Sequence, residues 1–214
     1  MNRKTLMQTG ANIIERAHRI GISQGISLRD VLSIVWEARK MGLSVPVVLM
    51  VYSSVLNIGS DKLCVEAKKA GVVGFIIVGV SSEDAKTLTN ASKKHDLAFI
   101  PLIFPTTPEG QMREIGALAH GFVYCVSHNG VTGIRPELPA NLSSFMAKVR
   151  RHISLPLALG FGMATRRHFL QAGVVADGVV MSSKIIKTID ESPNDTASRT
   201  ANVEKFCQSV VFGK

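Results

Sequence analysis

The feature that most limits what this chain of 214 residues can fold into is an alternation. Short runs rich in Val, Ile, Leu and Phe are separated by longer stretches in which apolar residues recur every three or four positions. The apolar runs are Asn12 to Ile14, Val47 to Met50, Phe75 to Val78, Phe99 to Ile103, Phe122 to Val126, Leu157 to Leu159 and Gly178 to Met181. Each is short and largely apolar, which predicts strands of a parallel sheet covered on both faces. Between them, Leu28 to Met41 places Val31, Leu32, Val35 and Trp36 on one face, and Asp61 to Ala70 and Asn141 to His152 repeat that spacing with charges opposite, as amphipathic helices do. Ser27 before "LRDVL" and Ser81-Ser82 before "EDAKTL" are helix starts, and Gly42, Gly71 and Gly173 fall just past helix ends. Strand-helix units at spacings of roughly 20 to 35 residues predict an α/β fold, a (β/α)8 TIM barrel with about seven of its βα units, normally a fold of about 250 residues. One domain covering the whole chain is expected. The rival, an open doubly wound sheet, would carry a GxGxxG turn after its first strand, and none is present.

Composition narrows the partners. At 46% hydrophobic the chain can build a substantial core, but its longest apolar run, Val72 to Val80, is far short of the roughly 20 residues that cross a bilayer. No membrane association is expected, and "MNRKTLMQTGANII" lacks a secretory pattern, so the cytoplasm is the expected location. Cys64, Cys125 and Cys207 are odd in number and widely spaced, which predicts reduced thiols and no metal site. The formal charge of +9 comes from basic residues in ones and twos, and aromatic content is 6%, so nucleic-acid binding is not expected. A small anionic ligand suits the positive surplus.

Candidate chemistry gathers at strand ends. "LGFGMATRRHF" ends a strand in Gly160-Phe161-Gly162, and "ADGVVMSSKIIKTI" ends the next in Ser182-Ser183 before a short helix. Glycine allows backbone N–H groups to approach phosphate oxygens, a serine hydroxyl adds a donor, and a helix N-terminus adds partial positive charge, so the pair predicts a phosphate site. Tight packing alone would also explain one such glycine. "GFVYCVSHNGVTGIRPELP" leaves its strand through a long loop containing Gly130 and Gly133, the pattern of an active-site lid. Glu15, in "NIIERAHRIGISQG", sits either at a strand tip, where barrel enzymes keep catalytic acids, or at the start of a helix.

The segments "PVVLM", "FIPLIFPTT", "GFVYCVS", "GVTGIRPELPANL", "PLALGFG", "ADGVV" and "SSKIIKTI" run in colinear order from about Leu28 onward and resemble the α subunit of tryptophan synthase, particularly the α domain of the fused fungal enzymes. The resemblance implies a lyase that cleaves indole-3-glycerol phosphate to indole and glyceraldehyde 3-phosphate in tryptophan biosynthesis. It implies no cofactor in this chain, pyridoxal phosphate belonging only to a β partner. It further implies that Gly133, Gly162 and Ser183 contact the substrate phosphate, with Ser182 where the family prefers glycine. On the same resemblance Tyr124 would line the substrate pocket, Thr132 would help orient the catalytic carboxylate, and Phe161 would cover the indole ring. His128 replaces an arginine of the lid. Glu15 matches the catalytic glutamate when read forward from Gly10, and a helical glutamine when read backward from Gly25. The family's first strand and the loop after its second strand have no counterpart here, and "VGVSSED" replaces a pattern with aspartate and proline on the partner-facing side. Such a barrel could be partly open, closed by its N-terminal segment or completed by another chain. Two functions follow from the resemblance: the lyase itself, or a catalytically impaired barrel of the same family that binds a phosphorylated ligand or regulates a partner.

Overall fold

The computed structural model describes residues 11–129 and 133–213. Its strands are β1 (Val48–Tyr52), β2 (Gly74–Val78), β3 (Ala98–Phe99), β4 (Leu102–Ile103), β5 (Val123–Val126), β6 (Leu157–Gly160) and β7 (Gly178–Val179), and every pairing is parallel. Hydrogen bonding splits them into β1-β2-β3 and β4-β5-β6-β7. The split has a local cause. Pro101 has no N–H to offer a ladder, yet the stretch stays extended: Ile100 N–H donates to Phe75 O on one side and Pro101 O accepts from Tyr124 N–H on the other. β3 and β4 are thus two halves of one strand, and the sheet is a continuous arc with six strand positions.

The expected strand at Asn12 to Ile14 is not there. Those residues belong to a helix, α1 (Ala11–Ser23), so the arc has one strand-helix unit fewer than the sequence suggests. The helical period is visible in the partly buried positions Ile13, Ile14, Ala17 and Gly21. α1 lies across the opening of the arc. Its His18 ring meets Tyr52, at the end of β1, edge-on at 5.9 Å, and its Arg16 donates at 2.8 Å to Asp190 of the helix that follows β7.

The remaining helices are α2 (Leu28–Lys40), α3 (Ser60–Ala70), α4 (Ser82–Lys94), α5 (Glu109–Leu118), α6 (Leu142–Arg150), α7 (Arg166–Gly173), α8 (Ser183–Glu191) and α9 (Thr196–Val211). Their starts follow the sequence: Ser27 and Asp30 form a reciprocal capping box on α2, and Ser81 accepts from Asp84 N–H on α4. Gly71 ends α3 with φ +89°, in the left-handed region that a side chain rarely tolerates. On α2, Leu32 and Val35 are buried as expected, but Trp36 is half exposed, because the buried stripe is narrower than the apolar one.

Along the strands, residues alternate between two cores. Phe75 and Ile77 pack outward with α2, α3 and α4, and Val123, Cys125, Leu157 and Leu159 pack outward with α5, α6 and α7. Ile76, Ile100, Tyr124 and Val126 point inward and fill the floor of the arc. Met50 and Tyr52 also alternate inward from β1, yet they are 50% and 60% exposed, since β1 is an edge strand with no further strand beside it among the described residues.

Candidate active site

Above that floor, at the carboxyl ends of the strands, lies a pocket of about 670 Å³. Its lining brings together Glu15, Tyr124, Gly133, Phe161, Gly162, Ser182 and Ser183, which are separate in sequence. Thr132 lies outside the described residues.

At one end, α8 begins at Ser183, whose side chain is buried, with Ser182 as its N-cap. Neither serine side chain caps the helix: the turn is closed by Ile186 N–H donating to Ser182 O at 3.0 Å. The first N–H groups of the helix therefore have no intrahelical acceptor, and they lie at the end of α8 that lines the pocket, as at anion-binding helix starts. Beside them, Gly162 has φ +82° and forms a parallel bridge with Ile134. Arg135 N–H donates to Gly162 O at 3.4 Å, and the stem of the Arg135 side chain would lie 3.4 Å from any Cβ placed on Gly162. The guanidinium reaches His128, its Nε donating to Nε2 at 2.6 Å. A positive group thus stands beside His128 at this end of the pocket.

The walls are aromatic. Tyr124 is almost wholly buried on β5, and burial pushes its phenol up to about 12, so it is a neutral hydrogen-bond donor near neutral pH. Gly160 makes room for it, since a Cβ there would overlap the Tyr124 hydroxyl. Phe161 takes φ +74°, a conformation uncommon for a residue with a side chain, and is held by Ser127, whose hydroxyl donates to Phe161 O at 2.7 Å. His128 stacks edge-on against the Phe161 ring at 5.7 Å.

The carboxylate end is different. Glu15 stands on α1, so the strand-tip alternative is overturned and the helical one holds. Its side chain is 61% exposed and 3.8 Å from Arg19 one turn on, yet it borders the pocket with Ile14 and His18 from the same helix. Glu15 is the sole carboxylate among the described lining residues. His18, Met50, Tyr52 and Phe104 were not singled out from the sequence; His18 could have been, since it follows Glu15 by three residues and shares its helix face.

The family model for the tryptophan synthase alpha chain matches residues 8–212. The chain belongs to the tryptophan synthase alpha-chain family. It is 35% identical over 202 residues to the tryptophan synthase of Saccharomyces cerevisiae, covering 94% of this chain and 28% of the yeast enzyme, so it spans little more than a quarter of that relative. To the tryptophan synthase alpha chain of a Roseiflexus species it is 38% identical over 181 residues, 84% of this chain and 69% of the relative. Among solved structures, the Pyrococcus furiosus alpha subunit described in its a2b2 complex superposes with a TM-score of 0.84 at 30% identity, covering 94% of this chain and 80% of that one. The α/β barrel class expected from the sequence is that of these alpha-chain neighbours. Among the described residues no helix is long and apolar enough to cross a membrane, and no group of three His, Cys, Asp or Glu could hold a metal ion.

Proposed function

We propose that this member of the tryptophan synthase alpha-chain family of lyases cleaves indole-3-glycerol phosphate into indole and glyceraldehyde 3-phosphate. The observation that carries the reading is convergence: among the described residues a glycine-rich turn with a helix start, aromatic walls and one carboxylate border one pocket. The phosphate lies against Gly133, Gly162 and the start of α8, where backbone N–H groups and the Ser183 hydroxyl donate to it. Ser182 adds a hydroxyl where a glycine would offer only backbone. The indole ring lies between Tyr124 and Phe161, on the apolar floor. Retro-aldol cleavage requires one proton to reach the indole ring carbon while another leaves the glycerol hydroxyl, and a positioned carboxylate, Glu15, handles that exchange. Thr132 belongs to the segment that would orient it. Indole then passes to a β partner, and the pyridoxal phosphate step takes place there, not on this chain.

The test is indole release by the purified chain, alone and with a tryptophan synthase β subunit. Glu15→Gln should lower the rate by about 100-fold or more, the range general acid-base groups contribute. A loss of only a few-fold would remove Glu15 from the chemistry. No indole from the unaltered chain under either condition would end the lyase reading and leave the phosphate-ligand-binding barrel, for which the exposed, loosely paired position of Glu15 speaks. Calorimetry with glycerol 3-phosphate decides whether even that binding is present.

A further inference from the structure

His168 has no place in the lining of the pocket, yet it is 2% exposed and hydrogen-bonded through both ring nitrogens. It sits in the first turn of α7, where its own N–H donates to the Thr165 hydroxyl at 3.2 Å. Ala164 N–H donates to Nδ1 at 3.3 Å, and Nε2, which then carries the ring proton, donates to Pro136 O at 3.0 Å. Ala164 follows the Gly160-Phe161-Gly162 turn, whereas Pro136 belongs to the segment that descends from Gly133. The imidazole therefore bridges two loops that also meet at the bridge of Ile134 with Gly162.

We propose that His168 is a positioning residue for the phosphate end of the pocket: by tying Pro136 to Ala164 it holds the Gly133 to Pro136 segment against Gly162. The physical case rests on how little else does so among the described residues. The neighbouring backbone contact, Arg135 N–H to Gly162 O, is long at 3.4 Å, and Arg135, Pro136 and Glu137 are all exposed. Glu137 is tied to α7 by an ion pair with Arg167 at 3.0 Å, but both side chains are well exposed, and such pairs contribute little. The His168 ring itself is buried, its bond from Ala164 wholly so and its bond to Pro136 O in part, and in such surroundings a hydrogen bond is stronger and its loss leaves a buried ring nitrogen unsatisfied. The inference rests on the reading of Gly133 and Gly162 as phosphate contacts.

Two substitutions divide the bridge. His168→Gln carries an amide N–H at about the distance of Nε2 and can still donate to Pro136 O; His168→Asn offers an acceptor near Ala164 N–H but is too short to reach Pro136. The link itself is read by hydrogen exchange at the Ile134 and Arg135 amides. Exchange there should quicken about tenfold in His168→Asn, the size of one net hydrogen bond, and by no more than about threefold in His168→Gln, while the α6 amides stay at their original rates in both. Binding of glycerol 3-phosphate, followed by calorimetry, should weaken in parallel, and KM for the phosphorylated substrate should rise more than kcat falls. Equal exchange in the two variants, or a loss that follows their melting temperatures across the whole chain, overturns the positioning role. Exchange behaving as expected in a protein with no affinity for glycerol 3-phosphate would instead keep the bridge and overturn the phosphate reading.

Discussion

Gly160 has a neighbour that leaves no space for a side chain: Tyr124 crosses it so closely that a Cβ would overlap the phenol oxygen. The glycine at the end of β6 therefore answers to the tyrosine on β5 rather than to a turn. Gly162, two residues on, answers to its φ of +82°. From sequence the two glycines of "GFG" look alike, and only the strand register, which sets Tyr124 beside Ala158 and Val126 beside Gly160, separates them. Gly160→Ala should destabilise the fold by about 1 to 3 kcal/mol, as overfilled core positions do. In a Tyr124→Phe background the added methyl no longer meets a hydroxyl, although the ring carbon still crowds it. The cost should then be smaller, and a double-mutant cycle on thermal or urea melting measures the difference. Equal costs in the two backgrounds would mean that Tyr124 moves aside freely and that the close approach has no energetic weight.

At the level of elements, what the sequence made legible depended on burial. Strands covered on both faces are apolar without interruption, so Val47 to Met50, Phe75 to Val78, Phe122 to Val126 and Leu157 to Leu159 fall within a few residues of the observed strands. "NII" at the start of α1 has the same look for a different reason: two adjacent isoleucines are the edge of a helical stripe, and only Ala17 and Gly21 further on reveal the period. The tail helix α9 escaped notice because it shows little apolar bias and buries only Val210. Caps were easier, since a serine followed three residues later by an acid is a local signal. Ser27→Ala removes the side-chain half of the α2 capping box, leaving only the backbone N–H of residue 27 donating to Asp30, and should cost about 1 kcal/mol, whereas Ser27→Asn, another good cap, should cost less. Melting curves of the two variants make the comparison. α1 offers a second test. Its ion pair with α8, Arg16 with Asp190, is exposed and worth at most about 1 kcal/mol, so Arg16→Ala should hardly shift the melting temperature. If Glu15 acts from α1, however, the same substitution should lower indole release, because a catalytic carboxylate displaced by about 1 Å can lose about 100-fold in rate. Unchanged indole release would mean that α1 is held by its packing against Tyr52 and α8 alone.

The molecule as a whole is an arc whose opening is covered by one helix, and that decides which parts of the site could be read in advance. The end of the pocket proposed to hold phosphate is built from consecutive strand tips and a helix start, each local in sequence, so Gly162, Ser182 and Ser183 carried their own signal. The carboxylate end is assembled across the opening, by α1 meeting β1 and α8 from opposite ends of the chain, and no local pattern encodes such a meeting. The same dispersal governs the response of the fold to acid. Five aspartates, placed around the molecule, are held below the ordinary carboxyl value of 3.8: Asp30 by the Ser27 side chain, Asp61 by Lys94 and then His95, Asp96 by Lys68, Asp177 by the Leu157 N–H and then Arg150, and Asp195 by the Ser198 N–H. With folded values below 3.8, protons bind the unfolded chain first as the pH falls. The stabilisation is therefore fully present above 3.8 and is lost as the pH drops through that value towards the folded ones. Urea melts from pH 7 down to pH 2 should show stability level with respect to these groups until about pH 4 and falling below it. Asp177 is the site at which to check the cause, because it accepts from the Leu157 N–H at 2.7 Å and pairs with Arg150 at 2.7 Å, joining the start of β6, the end of α6 and the approach to β7. Asp177→Asn should lower stability at pH 7 and make the acid decline shallower, the two curves drawing together as the pH falls below 3.8 and the carboxyl takes up its proton. A variant curve that stays parallel to the original over the whole range would assign the acid loss to other groups.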